Sequence, residues 1–196
     1  MPESPGSFAA RPLTPQTWPD LADLFGQRGG SIVRGCWCMF YRISGRVEGV
    51  DGGELGPWRQ QALHDLVENG VVPGLIGYLG ESPAGWISLA PREEYAKLRR
   101  SRIMKPVDDT PVWSVVCTYV ASPYRGAGVQ HQLLGAAIDY ARDKGAHVLE
   151  AYPVEPSGRI DNNSLFFGSR GLYEKAGFAE VARRSETRVV MRLALG

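Results

Sequence analysis

The strongest constraint on the fold is an apolar run over residues 112–121, VWSVVCTYVA, followed by a glycine-containing loop and an amphipathic segment. β-Branched and aromatic residues dominate the run and favour a β-strand. Residues 129–144 carry apolar side chains at helical spacing, and Gly145 is a typical helix stop. Residues 148–154 predict a second strand. This order of strand, loop, helix and strand predicts a mixed α/β fold.

Patterns of apolar residues predict further elements on both sides of this unit. A helix is predicted to begin at Thr14-Pro15, because threonine caps helices and proline suits their first turn, and to end at Gly29-Gly30. Residues 92–102 predict either a charged helix or a loop. The other predicted elements are helices at residues 58–68 and 172–175, and strands at residues 8–13, 75–79, 84–90, 178–182 and 189–195, with residues 80–83 as a hairpin loop.

Composition limits the class of protein. A chain of 196 residues, 43% of them hydrophobic, predicts one globular domain. Its 22 basic and 21 acidic side chains exclude a strongly basic nucleic-acid binder. Three cysteines cannot form a disulfide framework and favour a reducing compartment. Since the chain has no signal-peptide pattern and no apolar run of about 20 residues, we expect a cytoplasmic protein without membrane contact.

The loop between the strand and the helix is the first candidate binding site. Residues 122–130, SPYRGAGVQ, contain Gly126 and Gly128, which permit positive φ angles and the close approach of a ligand to the backbone. A helix N-terminus presents free N–H groups and the positive end of the helix dipole. The loop therefore predicts a cradle for a phosphate or pyrophosphate group.

Two well-known phosphate-binding motifs fit this loop poorly. A Walker loop ends in Gly-Lys-Ser/Thr, a sequence that the chain does not contain. A dinucleotide-binding motif needs a third glycine where His131 stands, although Glu150 lies at a suitable distance along the chain for a ribose contact. That motif also belongs in the first unit of a domain, whereas this loop lies late in the chain.

Two motifs in order resemble the GNAT superfamily of acyl-CoA-dependent N-acyltransferases. The family signature Arg/Gln-x-x-Gly-x-Gly/Ala matches residues 125–130, RGAGVQ, except that Gln130 replaces the usual small residue. Residues 172–178, LYEKAGF, are similar to the Tyr-Glu-Lys-x-Gly-Phe segment of the family. Two motifs about 45 residues apart are more specific together than either is alone.

The resemblance implies a single α/β (α+β) domain over residues 1–196. Its mixed, mainly antiparallel sheet would be flanked by helices. Residues 112–121 and 146–154 would be two splayed parallel strands that bind CoA. Residues 8–70 would form a helical region on the acceptor side, and residues 75–195 would form the sheet and the CoA-binding core.

The resemblance also implies roles for individual residues. Backbone groups of Tyr119 and Val120 would pair with the pantetheine arm, and a main-chain amide near Cys117 would polarise the thioester carbonyl. Tyr173 would protonate the departing CoA thiolate. The pyrophosphate would bind the loop residues Arg125, Gly126, Ala127, Gly128, Val129 and Gln130. The implied function is direct transfer of acetyl from acetyl-CoA to an amine of a small molecule or a peptide.

Two departures from the family pattern leave the general base open. The asparagine that many members carry seven residues before the tyrosine is Phe166 here, with Asn162 or Asn163 as a candidate substitute. The glutamate on the fourth strand is Trp113. An amine with a pKa near about 10 must lose a proton before it attacks. The candidate proton acceptors are Glu150, His147 and a chain of water molecules.

Residues 31–43 contain Cys36-Trp37-Cys38 and several aromatic side chains. A zinc site needs four ligands, and the three histidines do not have motif spacing, so no metal is predicted. Trp37 and Tyr41 are candidates for the acceptor-binding site, and packing in the core is an equally good interpretation. For Cys117, packing or main-chain contact is favoured over a nucleophilic role.

Other functions remain open on sequence alone. The missing glutamate and Phe166 are compatible with a module that binds acyl-CoA and senses or regulates without turnover. Transfer of another acyl group, such as succinyl or a longer chain, is a further alternative. Tyr173 by itself is compatible with an ordinary core tyrosine. A symmetric homodimer is the default assembly, and the basic run at residues 98–105 predicts a solvated face.

Overall fold

The computed structural model describes residues 6–27, 30–155 and 166–196. The strands in these residues are β1 (Phe8–Pro12), β2 (Gly74–Leu79), β3 (Ser82–Pro91), β4 (Trp113–Val120), β5 (Val148–Ala151), β6 (Ala179–Ser185) and β7 (Arg188–Ala194). The α-helices are α1 (Trp18–Gly26), α2 (Ser31–Cys36), α3 (Leu55–Glu68), α4 (Ala96–Arg100), α5 (Val129–Asp143) and α6 (Arg170–Lys175). Within the described ranges, no helix combines the length and the apolar character needed to cross a membrane.

The seven strands form one sheet in the order β1-β2-β3-β4-β5-β7-β6. Every neighbouring pair is antiparallel except β4 and β5, which are parallel. A parallel pair needs a crossover connection, and α5 supplies it between these two strands. The prediction of a mixed, mainly antiparallel sheet flanked by helices is confirmed.

Helices cover both faces of the sheet, and each face has its own core. Side chains alternate between the faces along a strand, so neighbours such as Trp86 and Ile87 belong to different cores. Ile87 packs in the core that includes Leu133 of α5. Trp86 packs in the core that includes Leu24 of α1 and Leu63 of α3.

Strands β4 and β5 separate part-way along their length. Their pairing ends at Val115, opposite Ala151, although β4 continues to Val120. At the same point the pairing of β4 with β3 moves from Val115 to Cys117, which leaves Val116 as an extra residue in a β-bulge. The predicted splay of two parallel strands is therefore confirmed, and it coincides with a bulge.

The bulge changes which core the side chains of β4 enter. Val115 packs in the core of α5. Cys117 and Tyr119 would share its face in a regular strand, but they pack in the core of α1 and α3. The second half of β4 is therefore turned over relative to the first half.

The first helix begins later than the sequence predicted. Thr14 and Pro15 precede or lie in a turn, and α1 begins at Trp18. The hydroxyl of Thr17 accepts a hydrogen bond from the Thr14 N–H (2.9 Å) and donates one to the Pro12 carbonyl (2.9 Å). These bonds stabilise the turn and delay the start of the helix by three residues.

Two strand ends also differ from the prediction. β3 begins at Ser82, so the predicted four-residue hairpin loop is a two-residue turn of Gly80 and Glu81. Gly80 has a φ of +60°, which suits the tight turn. β5 ends at Ala151, and Val154 makes isolated bridges outside the strand.

Gly85 tests the packing of α5 on the sheet. A Cβ at Gly85 would lie 2.8 Å from Leu133 Cδ1 and 2.9 Å from the Tyr119 carbonyl oxygen. We expect Gly85→Ala to lower the free energy of unfolding by about 1–3 kcal/mol, the usual cost of overpacking. Urea denaturation followed by circular dichroism measures the change.

Gly135→Ala is the matched control. Gly135 lies inside α5, and a Cβ there would meet no atom within 4 Å. Alanine is the better helix former, so this variant should be unchanged or more stable by up to about 1 kcal/mol. Equal stability of the two variants would contradict the close contact between α5 and β3.

Candidate functional site

The loop after β4 opens a cleft at the N-terminus of α5. Gly126 and Gly128 have φ angles of +82° and +77°, and a Cβ at either would meet no atom within 4 Å. Glycine is therefore required here for backbone conformation, and the space beside it is open. Among the described residues, the N–H groups of Gly128, Val129 and Gln130 have no backbone acceptor. They line a cleft of about 320 Å³, suited to an anion.

Side chains of the loop tie it to the end of β4. Arg125 Nε donates to the Val120 carbonyl (3.1 Å). Gln130 Nε2 donates to Thr118 Oγ1 (2.7 Å), which in turn donates to the Phe166 carbonyl (3.4 Å). Gln130, the residue that departs from the family signature, therefore links the cleft to the separated half of β4.

A second cavity lies at the bulge, and we call it the apolar cavity. Its volume is about 510 Å³. Its wall comes from α2 and the residues after it, from β4, and from the segments around Val154, Phe167 and the start of β7. The lining residues are Ile32, Val33, Cys36, Cys38, Phe40, Tyr41, Val116, Cys117, Val154, Phe166, Phe167 and Arg188.

Of the two predicted acceptor-site residues, Tyr41 lines the apolar cavity and Trp37 does not. Trp37 is buried in the core, where its ring stacks on Trp18 (5.8 Å between centroids) and contacts Phe25 (5.2 Å). The backbone explains this placement. Trp37 ends α2 with a φ of +46°, and Cys38 follows with +51°. This left-handed pair puts the indole in the core and the next side chain in the cavity wall.

Tyr173 is fully buried, and its hydroxyl has no hydrogen-bond partner among the described residues. Its ring packs against Phe178 with 5.1 Å between centroids. The hydroxyl lies beside Gly168, where a Cβ would come within 3.5 Å of it. Gly168 directly follows Phe167, which lines the apolar cavity. Burial raises the pKa of Tyr173 well above its usual value, so the hydroxyl keeps its proton at neutral pH.

The structure places Glu150 in a buried ion-pair network instead of the cavity wall. Its carboxylate accepts hydrogen bonds from Arg92 Nη1 (2.7 Å) and Arg192 Nε (2.8 Å). The Tyr152 hydroxyl donates to it as well (2.6 Å). Glu150 is fully buried, and Arg92 is nearly so. Both oxygens of the carboxylate are engaged by these donors, and Glu150 does not line the apolar cavity, so the geometry does not support Glu150 as the base.

The other candidate base, His147, also lies away from the cavity wall. His147 is exposed just before β5, at the end of the strand opposite the splay. Trp113, at the position of the family glutamate, packs against Tyr140 of α5 with 6.2 Å between ring centroids. Asn162 and Asn163 lie outside the described residues.

The three cysteines all line the apolar cavity. Cys38 Sγ accepts a hydrogen bond from Trp86 Nε1 (3.1 Å). Burial raises the pKa of Cys36 to about 11, and the neighbouring Cys117 thiol together with burial raises the pKa of Cys38. These two thiols are therefore protonated and act as wall groups. Among the residues described, no cluster of three potential metal ligands is present.

Sequence reasoning missed Arg188, Phe167 and the residues of α2 in the cavity wall. Arg188 carried a usable signal. It begins β7, which runs antiparallel to β5, so the start of β7 must lie near the end at which β5 leaves β4. The α2 residues gave no such signal, because the positive φ angles after α2 fall on residue types that rarely adopt them.

Comparison with known proteins supports the same interpretation. The chain matches the Acetyltransferase (GNAT) family over residues 37–178, which is more than half of its length. The protein belongs to the GNAT acetyltransferase family. No curated protein matched the sequence.

Solved structures with this fold cover nearly the whole chain at low sequence identity. A GNAT-family protein from Desulfovibrio desulfuricans aligns with a TM-score of 0.56 and 17% identity over 97% of this chain and 100% of its own. An N-acetyltransferase from Staphylococcus aureus Mu50 aligns with a TM-score of 0.55 and 14% identity, over 97% of this chain and 100% of its own. The protein yncA from Salmonella typhimurium, solved with its cofactor acetyl-CoA, aligns with a TM-score of 0.52 and 18% identity, over 97% of this chain and 95% of its own.

Glu150→Gln tests whether Glu150 is a structural group. The substitution leaves the buried Arg92 guanidinium without its carboxylate and removes one of the two carboxylates that pair with Arg192. We therefore expect a loss of about 3–5 kcal/mol in the free energy of unfolding. Glu174→Gln is the matched control, because Glu174 pairs with Arg170 on the surface and should contribute little. Urea titrations of both variants give the comparison. Unchanged stability of Glu150→Gln would contradict the structural role.

Proposed function

We propose that the protein transfers an acetyl group from acetyl-CoA directly to an amine of a small molecule or a peptide. The observation that carries this proposal is the opening of the sheet after Val115. The edge of β4 that β5 leaves unpaired, over residues 116–120, runs from the apolar cavity to the anion cleft. This arrangement supports a long ligand with a phosphate group at one end and a reactive group at the other.

Acetyl-CoA fits this arrangement in three places. The free N–H groups at the start of α5 suit its pyrophosphate. Beyond Val115, β4 has no β5 partner, so the backbone groups of Tyr119 and Val120 can pair with the amides of the pantetheine arm. The bound cofactor would supply an acetyl thioester near Cys117, where a main-chain amide would stabilise the negative charge that develops on the carbonyl oxygen.

Tyr173 supplies the proton for the departing thiolate in this proposal. Its hydroxyl is a buried donor without a partner in the described part of the chain, and an unpartnered buried hydroxyl normally costs free energy. Its raised pKa keeps the proton in place until a thiolate forms beside it. Binding the sulfur of CoA would satisfy this donor.

The attacking amine must be neutral, and the apolar cavity favours that form. Burial and the nearby guanidinium of Arg188 both disfavour an ammonium group, so they lower the pKa of a bound amine. Among the described wall residues there is no carboxylate and no histidine. We therefore propose that the proton leaves to solvent water before the amine attacks.

Gly128→Ala tests the cleft. A Cβ at a φ of +77° strains the loop and occupies the space assigned to the pyrophosphate. We expect acetyl-CoA to bind at least about tenfold more weakly, which corresponds to about 1.4 kcal/mol. Isothermal titration calorimetry measures the affinity.

Gly145→Ala is the control for that variant. Gly145 also has a φ of +77°, but it lies after the C-terminus of α5. Both substitutions should lower the free energy of unfolding by a similar amount, about 1–2 kcal/mol, because both force a Cβ into left-handed backbone. Only Gly128→Ala should weaken binding, and equal affinities in both variants would rule out the cleft as the pyrophosphate site.

Tyr173→Phe tests the proposed acid. We expect the rate of acetyl transfer to fall about 10²–10⁴-fold, the usual contribution of a general acid. Stability should not fall, because the lost hydroxyl hydrogen-bonds to none of the residues that the structure describes. The assay is release of the CoA thiol with a panel of amines, run beside urea denaturation.

Tyr140→Phe is the control for the acid. Tyr140 lies on α5 and packs against Trp113, away from both the cleft and the cavity. It should keep full activity. Loss of stability without loss of rate in Tyr173→Phe would show instead that Tyr173 is an ordinary core residue.

A second candidate function is an acyl-CoA sensor without turnover. Trp113 at the glutamate position, and a described cavity wall without a carboxylate or a histidine, favour it. Tight binding of acetyl-CoA, without release of the CoA thiol in the presence of any amine, would support the sensor and contradict the transferase.

Transfer of a longer acyl group is a related alternative, because the cavity of about 510 Å³ adjoins the proposed thioester position. Steady-state rates with acetyl-CoA, succinyl-CoA and hexanoyl-CoA distinguish the two. The proposal of an acetyltransferase requires the highest kcat/KM with acetyl-CoA.

A further inference from the structure

The wall of the apolar cavity contains a cation, Arg188. Its Nη1 donates to the Tyr152 carbonyl (3.1 Å), and its guanidinium carbon lies 4.4 Å from the centroid of the Phe167 ring. Among the described residues, no hydrogen-bond acceptor is found for Nε or Nη2. The guanidinium is therefore fixed in position and retains free donors.

Arg188 also differs from three other buried or partly buried arginines of the protein. Arg92, Arg170 and Arg192 each form an ion pair with a carboxylate, at distances of 2.5 to 2.8 Å. No carboxylate of a described residue lies within 4.0 Å of Arg188. Burial lowers the pKa of Arg188, which reflects the cost of holding its charge away from water. A carboxylate from a ligand would offset that cost.

We propose that the amine acceptor is an apolar amino acid, and that Arg188 binds its carboxylate. This inference rests on the proposed acetyltransferase function and names the substrate class of the same site. The planar guanidinium matches a carboxylate through parallel hydrogen bonds, which give orientation as well as affinity.

The rest of the wall selects the side chain of the acceptor. Ile32, Phe40, Tyr41 and Phe166 contribute apolar and aromatic surface, and a single side chain in the described wall carries a formal charge. A polar side chain would lose its hydrogen bonds with water there, whereas an aliphatic or aromatic one would bury apolar area. The cavity therefore favours acceptors such as leucine or phenylalanine over aspartate or lysine.

The carboxylate contact also orients the amine for the reaction. The amine of an α-amino acid lies two bonds from its carboxylate carbon, so binding at Arg188 restricts where the nitrogen can lie. The neutral nitrogen forms a bond to the thioester carbon, the carbon–sulfur bond breaks, and its electron pair stays on the sulfur. Tyr173 gives the sulfur a proton, and the nitrogen loses its surplus proton to water. Arg188 binds substrate and transfers no proton.

The experiment compares amines that differ only in the carboxylate. Wild-type protein is assayed with L-phenylalanine and phenethylamine, and with L-leucine and isopentylamine. We expect kcat/KM to be at least about 100-fold higher for each amino acid, because a buried charged pair with hydrogen bonds contributes strongly to binding. This ratio corresponds to about 2.8 kcal/mol. Arg188→Met should lose this preference through a higher KM for the amino acids, with little change for the plain amines.

Arg184→Met is the matched control. Arg184 lies on β6, and its guanidinium donates to the carbonyls of Lys105 and Pro106, away from the cavity. It should keep the wild-type preference. If wild type and Arg188→Met are both active and prefer the amino acids over the plain amines equally, Arg188 does not bind the substrate carboxylate. The proposed acetyltransferase function would be unaffected by that result.

A binding measurement separates this inference from the proposed function. 3-Phenylpropionate has the carboxylate and the ring but no amine, so its binding needs no turnover. Calorimetry in the presence of CoA should detect it with wild-type protein and Arg184→Met, and at least about tenfold weaker with Arg188→Met. Equal binding to wild type and Arg188→Met would overturn the inference. Selective binding without transfer to any amine would support the Arg188 site and refute the acetyltransferase.

Discussion

The separation of β4 from β5 after Val115 is the constraint on which the rest of the site depends. Backbone N–H and C=O groups require partners, and a strand edge inside a protein is stable only if something completes it. At Val116 the bulge coincides with the end of the pairing, so the rest of β4 has no partner in β5. The apolar cavity lies at the start of this edge, where Val116 and Cys117 line it, and the cleft lies at its end, where Val120 lines it.

The buried ion pairs around Glu150 explain why the sheet opens there and not earlier. Glu150 lies opposite Ser114 of β4 and opposite Arg192 of β7, one position before the last pair of the parallel ladder. A slip of β5 by one residue would turn the Glu150 carboxylate away from Arg92 and Arg192. Arg92 would then lose its carboxylate partner, and Arg192 would keep only Asp108. The network therefore fixes the register of the closed half.

The parts of the fold that the sequence predicted depend on local patterns. The strand at residues 112–121, the glycine loop and α5 were predicted within a few residues, because alternation, helical spacing and turn residues act over short distances. The separation of the two parallel strands came from the resemblance to a family. No pattern in VWSVVCTYVA marks the bulge, since Val116 is as good a strand residue as its neighbours.

The candidate site was predicted less completely, because its residues are defined by distant partners. Glu150 is an attractive base until Arg92, 58 positions earlier, is found against it. Trp37 is an attractive wall residue until the left-handed turn places it in the core. The glycine loop was predicted correctly as a turn because its conformation depends on its own residues.

The left-handed pair Trp37 and Cys38 makes the core and the cavity wall neighbours along the chain. Each such residue costs about 1–2 kcal/mol of backbone strain, which the packing of Trp37 against Trp18 and Phe25 must offset. A substitution that changes this part of the cavity wall would therefore also weaken the packing of the core. Substitutions that change the specificity of the cavity should concentrate in wall residues that do not also pack in the core, such as Ile32 and Phe40.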